Sequence, residues 1–220
     1  MAARARKPSP ELLARAARLE AAIHAAFPGA KCSLDYGNPL QLLIATILSA
    51  QCTDARVNKV TPALFARYRS AADFAASTIE ELEALIQSTG FYRNKAKSIR
   101  AACADIAALH GGKVPDNLEA LTNLHGVGRK TANVVLGNAF ATPGMVVDTH
   151  VGRIARRLGL TRQTDPVKVE HDLMQLFPPA RWTPLGHEFI QLGRKFCKAP
   201  NPRCAGCPIV ELCPFTKKIL

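Results

Sequence analysis

The chain has no uninterrupted apolar stretch near the roughly 20 residues that a bilayer crossing requires. Its longest apolar run, about Leu42 to Ala50, reads as a buried core helix instead. No apolar signal core follows Arg4, Arg6 and Lys7, so the start of the chain is expected to be a basic tail able to touch phosphate, not a secretory leader. Strand candidates are nearly missing. Met145-Val146-Val147 is apolar but too short to build a sheet, which leaves an all-α class. The seven cysteines are odd in number and Cys32, Cys52 and Cys103 stand singly, so a secreted disulfide framework is excluded and a reducing compartment is expected. Acidic residues are also in deficit, with 17 Asp and Glu against 29 Lys and Arg and a formal net charge of +12. That imbalance suits a polyanion better than a neutral ligand, although charge alone supplies only non-specific binding.

A chain of 220 residues, 48% of them hydrophobic, is long enough to bury a real core. Ser9-Pro10-Glu11 is a helix start, with a capping hydroxyl, a proline suited to the first turn and an acid that complements the dipole. The first helix should reach about Ala26. Apolar residues recurring at three- and four-residue spacing predict further helices near 39–51, 55–68, 78–88, 92–110, 117–123, 129–140, 149–159, 166–176 and 183–196. Pro143-Gly144 interrupts that pattern and marks a crossing between subdomains.

Chemistry concentrates in the segment Leu124-His125-Gly126-Val127-Gly128-Arg129-Lys130-Thr131-Ala132 and in the Val147-Asp148-Thr149-His150 run after it. Gly126 and Gly128 can adopt backbone conformations closed to other residues, so a turn between two helices can aim several N–H groups at an anion such as a DNA phosphate. Lys130 falls in the first turn of the second helix. Taken singly, Lys130 reads as a solvated lysine and Asp148 as the N-cap before Thr149. Near the C-terminus, Cys197, Cys204, Cys207 and Cys213 are separated by six, two and five residues. Four thiolates in this space could ligate tetrahedral zinc or a [4Fe-4S] cluster, and the single two-residue spacing mildly favours iron.

Together, these blocks resemble the endonuclease III family of helix-hairpin-helix DNA glycosylases. The hairpin with Asp148 downstream and the four-cysteine loop both match, and Leu48-Ser49-Ala50-Gln51-Cys52-Thr53-Asp54 resembles the family's early helix and following loop. The resemblance implies a two-subdomain fold: a six-helix barrel over 33–142, a discontinuous cluster domain from 1–32 and 143–220, and a DNA-binding cleft between them. It also implies that Cys197, Cys204, Cys207 and Cys213 hold a [4Fe-4S] cluster. Gln51 would fill the vacated base stack. Phe91, in Gly90-Phe91-Tyr92, stands where the family commonly has a leucine wedge. Gly126, Val127, Gly128, Arg129 and Thr131 would contact the backbone of double-stranded DNA carrying oxidised pyrimidines or abasic sites. The implied protein is a monomer in the bacterial cytoplasm, associated with the nucleoid.

Base removal requires the nucleotide to be rotated out of the stack. The resemblance then assigns Lys130 as the nucleophile on the sugar C1′ and Asp148 as its base and electrostatic partner, with β-elimination cutting the strand. Only a neutral amine attacks, so Lys130 must lose its proton. A hydrolytic adenine glycosylase of the same fold would need an acid on the early helix, and Ile44-Ala45-Thr46-Ile47 has none. A non-catalytic hairpin module leaves Asp148 unexplained, and an iron–sulfur electron carrier leaves the hairpin idle. Two departures stand out: His125 replaces a common proline, and Leu192-Gly193-Arg194 lacks a histidine often found before the first cluster cysteine.

Overall fold

The computed structural model describes residues 7–219, and within them no strand forms. Arg4 and Arg6 of the expected basic tail lie outside the described residues. Eleven α-helices are present among those residues. The chain divides into two compact units, one formed by Cys32–Thr142 and the other by the segment ending at Lys31 together with the segment starting at Pro143.

In the first unit, α2 (Pro39–Leu48) is the central helix, with every residue from Leu42 to Leu48 buried. It packs on α6 (Tyr92–Leu109) and α8 (Arg129–Ala139). A helix apolar all round can only sit inside a shell of others, and α3 (Asp54–Arg67), α4 (Ala71–Ala76), α5 (Ile79–Ile86) and α7 (Leu118–Asn123) complete that shell. Burying each Leu, Ile or Phe here contributes about 1.5–3 kcal/mol relative to exposure. Cys103 lies in this core, where burial pushes its thiol up to about 12 and leaves it unreactive.

Three boundaries differ from the periodicity. Helix α4 was not expected; it is only six residues long but carries a complete capping box, Ser70 with Asp73. Helix α2 stops at Leu48 instead of 51, because Ser49 caps it and Gln51 turns left-handed at φ 52°. Helix α11 (Pro179–Lys195) starts four residues before the expected 183, with Pro179 at its first turn and Pro184 tolerated inside.

The second unit joins α1 (Pro10–Ala26) to α9 (Thr149–Arg157), α10 (Pro166–Leu176) and α11. Leu19 and Ile23 of α1 share a core with Ile154, Leu173, Leu185 and Phe189. A buried ion network fastens the two distant chain segments. Glu188, 2% exposed, accepts two hydrogen bonds from Arg181 at 2.9 Å and is met by His24 Nδ1 at 2.8 Å. Arg181 also reaches Glu20 on α1 through its Nε. Removing one partner strands a buried charge. Arg181→Met is therefore expected to lower unfolding stability by about 3 kcal/mol in a denaturant titration, while Arg67→Met at the exposed Arg67–Glu81 pair should change it by under about 1 kcal/mol.

Candidate active site and cysteine loop

The turn between α7 and α8 is pinned from both sides. Leu124 and Val127 point into the core of the first unit, and the Val127 N–H donates to the Leu124 carbonyl at 3.1 Å. The His125 N–H donates to Asp105 on α6 at 3.1 Å, leaving the imidazole exposed. Gly126 sits between these anchors at φ 74°, with its α-carbon face against Ser98 of α6. A methyl group there would lie 2.7 Å from both Ser98 Cβ and Oγ. Glycine is thus required twice over, once for the left-handed backbone and once for the close approach.

Gly128 forms the N-cap of α8, and no side chain caps that helix. The N–H groups of a first helical turn have no partner within the helix, so this end can receive an anion. Arg129 is half-buried, whereas Lys130 in the same turn is exposed. Thr131 lines an open pocket of about 240 Å³ with Gly126, Gln51, Phe91, Asn94 and Lys95 among its walls. Four of the residues predicted from sequence to meet DNA thus gather at one opening. Val127 differs from them, since its side chain is core and its N–H is used within the turn.

Gln51 and Phe91 stand at the ends of different helices and share an unusual backbone. Gln51 follows α2 at φ 52°, and Phe91 is the N-cap of α6 at φ 48°. Both are solvent-facing, and Phe91 is 63% exposed, so it is not a core ring. Large exposed aromatic side chains held in left-handed backbone are uncommon and point to use.

Asp148 belongs to the second unit, where it caps α9 by accepting the Val151 N–H at 2.8 Å. The cap fixes the carboxylate while leaving it half-exposed. His150, the second residue of the same helix, meets Arg153 Nη2 through Nδ1 at 3.0 Å, and a Cβ on Gly193 would fall 2.6 Å from that nitrogen. His150 is therefore a packed structural residue.

The four cysteines line one small apolar cavity of about 30 Å³ with Phe196, Ile209, Val210 and Phe215. Burial pushes the Cys207 thiol above its ordinary range, and the three neighbouring cysteines push the same way. Four thiolates crowded in this manner would need a positive centre to stand together. Among the described residues no set of His, Cys, Asp or Glu closes around a single metal ion. The four thiols line one shared space. Arg157 of α9 donates to Cys197 Sγ at 3.2 Å and to the Lys198 carbonyl at 2.8 Å. Arg153 donates to the Cys197 carbonyl through Nε at 3.0 Å and Nη2 at 2.9 Å. These two arginines, spaced four apart so that they share a helix face, hold the first cysteine where the expected histidine is missing; Leu192 is core there.

A glycine hairpin leading to a helix without a side-chain cap, an exposed lysine on that helix and two outward side chains suit a surface that grips DNA. The family model for HhH-GPD superfamily base excision DNA repair proteins matches residues 44–179, and the chain belongs to that superfamily. It is an enzyme of base excision repair, in the DNA glycosylase and abasic-site lyase class. The chain is 55% identical to endonuclease III of Synechocystis sp. over 86% of each protein. It also superposes on the solved structures of a non-covalent endonuclease III–DNA complex and of a trapped endonuclease III–DNA covalent intermediate. Both share 46% identity and a TM-score of 0.88, over 92% of this chain and 95% of the other. No described helix is long and apolar enough to cross a membrane.

Sequence reasoning missed Ser98, Asp105, Lys95, Arg153 and Arg157. Lys95 alone left a readable trace, since it falls on the apolar face of α6 one turn before Ile99. Gly126→Ala should cost about 1–3 kcal/mol of stability, because the backbone strain remains and Ser98, fixed to α6, cannot retreat. Unfolding by urea and duplex binding by fluorescence anisotropy should both register the loss. Wild-type values in both would show that the hairpin does not depend on the close approach.

Proposed function

We propose that this enzyme is a bifunctional glycosylase and abasic-site lyase that removes oxidised pyrimidines from double-stranded DNA through a lysine imine. The observation that carries the reading is the placement of Lys130, exposed in the first turn of a helix whose N-terminus has no side-chain cap. Phosphate received at that end and the basic surface fix the duplex, while Gln51 and Phe91 fill the space left by the extruded nucleotide. Gly126, Gly128, Arg129 and Thr131 contribute to backbone contact, and Val127 contributes as the anchor of the turn.

The neutral Lys130 amine attacks C1′ of the sugar. A C–N bond forms, the bond from C1′ to the base breaks, and the base leaves with a proton. Opening of the sugar ring gives the imine, loss of a C2′ proton breaks the C3′–O bond, and water then releases the lysine. Asp148, fixed through one carboxylate oxygen by its cap, accepts the proton lost by the amine and stabilises positive charge developing on the sugar. The covalent intermediate trapped in a 46%-identical endonuclease III supports this chemistry. Ring-saturated and fragmented pyrimidines and abasic sites are the proposed substrates. The enzyme is proposed to act as a monomer, at the nucleoid of a bacterial cytoplasm.

Cys197, Cys204, Cys207 and Cys213 are proposed to hold a [4Fe-4S] cluster, which the shared thiol cavity and the N–H···S contact from Arg157 fit. When bound, it supplies a covalent clamp for a loop that has little helix of its own. Lys198 and Arg203 are then held as a cationic surface beside it.

Lys130→Gln should abolish strand cleavage at an abasic site while leaving duplex binding within about threefold of wild type. Asp148→Asn should slow the chemical step by about 10²–10⁴ and spare binding equally. Retained cleavage in the lysine variant would reject the assigned nucleophile. The purified protein should show a broad absorbance in the blue that is lost on Cys204→Ser. A stoichiometric zinc content without iron would reject the cluster.

A further inference from the structure

The first unit buries one lysine that the proposed chemistry does not use. Lys95, in the first turn of α6, is 5% exposed and faces a position that its helical neighbours Ala96 and Ile99 fill with apolar groups. Its ammonium donates to the Leu48 carbonyl at 2.8 Å and to the Thr89 carbonyl at 2.8 Å. Each acceptor lies two or three residues ahead of one of the two outward side chains. Leu48 is the last residue of α2, three before Gln51, and Thr89 ends the 3₁₀ turn Gln87–Thr89, two before Phe91.

Gln51 and Phe91 are two of the three non-glycine residues with positive φ among those described. Such conformations cost of order 1–3 kcal/mol each and persist only where the surroundings fix them. Lys95 also lines the pocket onto which both side chains open. Burial pushes its amine below the ordinary lysine range, while the neighbouring Cys52 thiol acts the other way. A desolvated cation is a costly filler for a helix core, and its one evident return is directional: an ammonium presents donors to two chain segments at once.

We propose that Lys95 is a positioning residue, whose ammonium clamps the Leu48 and Thr89 carbonyls and thereby holds Gln51 and Phe91 in register as a two-pronged wedge for the duplex. The clamp rests on the reading above that these two side chains enter DNA. It converts two separate loop ends into one tool, so a shift in either prong is resisted by the other through a shared nitrogen. In the catalytic cycle it acts before chemistry, at nucleotide extrusion.

The test uses the intact enzyme and a duplex carrying an abasic-site analogue opposite 2-aminopurine, whose fluorescence reports entry of the wedge into the opposite strand. Lys95→Met keeps the aliphatic stem and removes all donors. It is expected to reduce the fluorescence amplitude and to weaken preference for the lesion duplex roughly 10-fold, as loss of charged hydrogen bonds predicts. Lys95→Arg, which retains donors, should recover most of the amplitude. In a Gln51→Ala/Phe91→Ala background, Lys95→Met should add less than about twofold, since groups acting as a unit are not additive. A fully additive loss, an unchanged amplitude in Lys95→Met, or loss of the fold in both Lys95 variants would overturn the clamp and assign Lys95 to the stability of the first unit. If Gln51→Ala/Phe91→Ala alone behaves as wild type, the wedge reading fails and takes the clamp with it.

Discussion

The contact between the hairpin turn and α6 is the constraint on which the DNA-facing surface depends. Gly126 lies flush on Ser98, and the neighbouring His125 N–H is tied to Asp105 of the same helix. With Leu124 and Val127 driven into the core, the turn has no freedom to fold back over the start of α8. The start of α8 therefore stays without a side-chain cap, and Lys130 is exposed beside it. A side chain that capped α8 would stabilise the free protein by about 1 kcal/mol but would occupy the place where phosphate must go. The fold forgoes that local gain and leaves this end without a side-chain cap.

Helix α6 serves the other half of that surface as well. Its N-cap is Phe91, and its first turn carries Lys95, so the helix that supports the hairpin also sets the exposed ring and touches the end of α2 near Gln51. In the second unit, α9 plays a comparable part. Its N-cap is Asp148, and Arg153 and Arg157 further along reach the carbonyl and sulfur of Cys197. One short helix thus carries a proposed catalytic carboxylate at one end and supports the cysteine loop at the other. The Glu188 network on α11 explains how a chain segment before Lys31 belongs with segments after Pro143: burial of that carboxylate is tolerable only with Arg181 and His24 in place.

Much of this was legible in the residues. Helical periodicity located most of the long helices because each buries a stripe, as Ala96, Ile99, Cys103 and Ile106 do on α6. It overlooked α4, whose six residues are too few to show a period, even though Ser70 and Asp73 spelled a capping box. It ran α2 three residues too far, since nothing local to Ser49-Ala50-Gln51 announces a left-handed glutamine. The hairpin glycines and the cysteine spacing carried the family resemblance, which the superfamily match and the solved relatives support over most of the chain. What spacing could not reveal were partners distant in sequence: Ser98 under Gly126, Arg157 on Cys197, and Lys95 between Leu48 and Thr89. Lys95 was the nearest to readable, a cation interrupting an apolar face.

The proposed chemistry turns on Lys130 as the amine that becomes bonded to the sugar. The most direct measurement is to reduce the enzyme–abasic-DNA adduct with borohydride, digest the protein and locate the modified peptide by mass spectrometry. A sugar-phosphate mass on the peptide containing Lys130, at near-stoichiometric yield, is the expected result. The same mass on another lysine, or on none, would contradict the assignment.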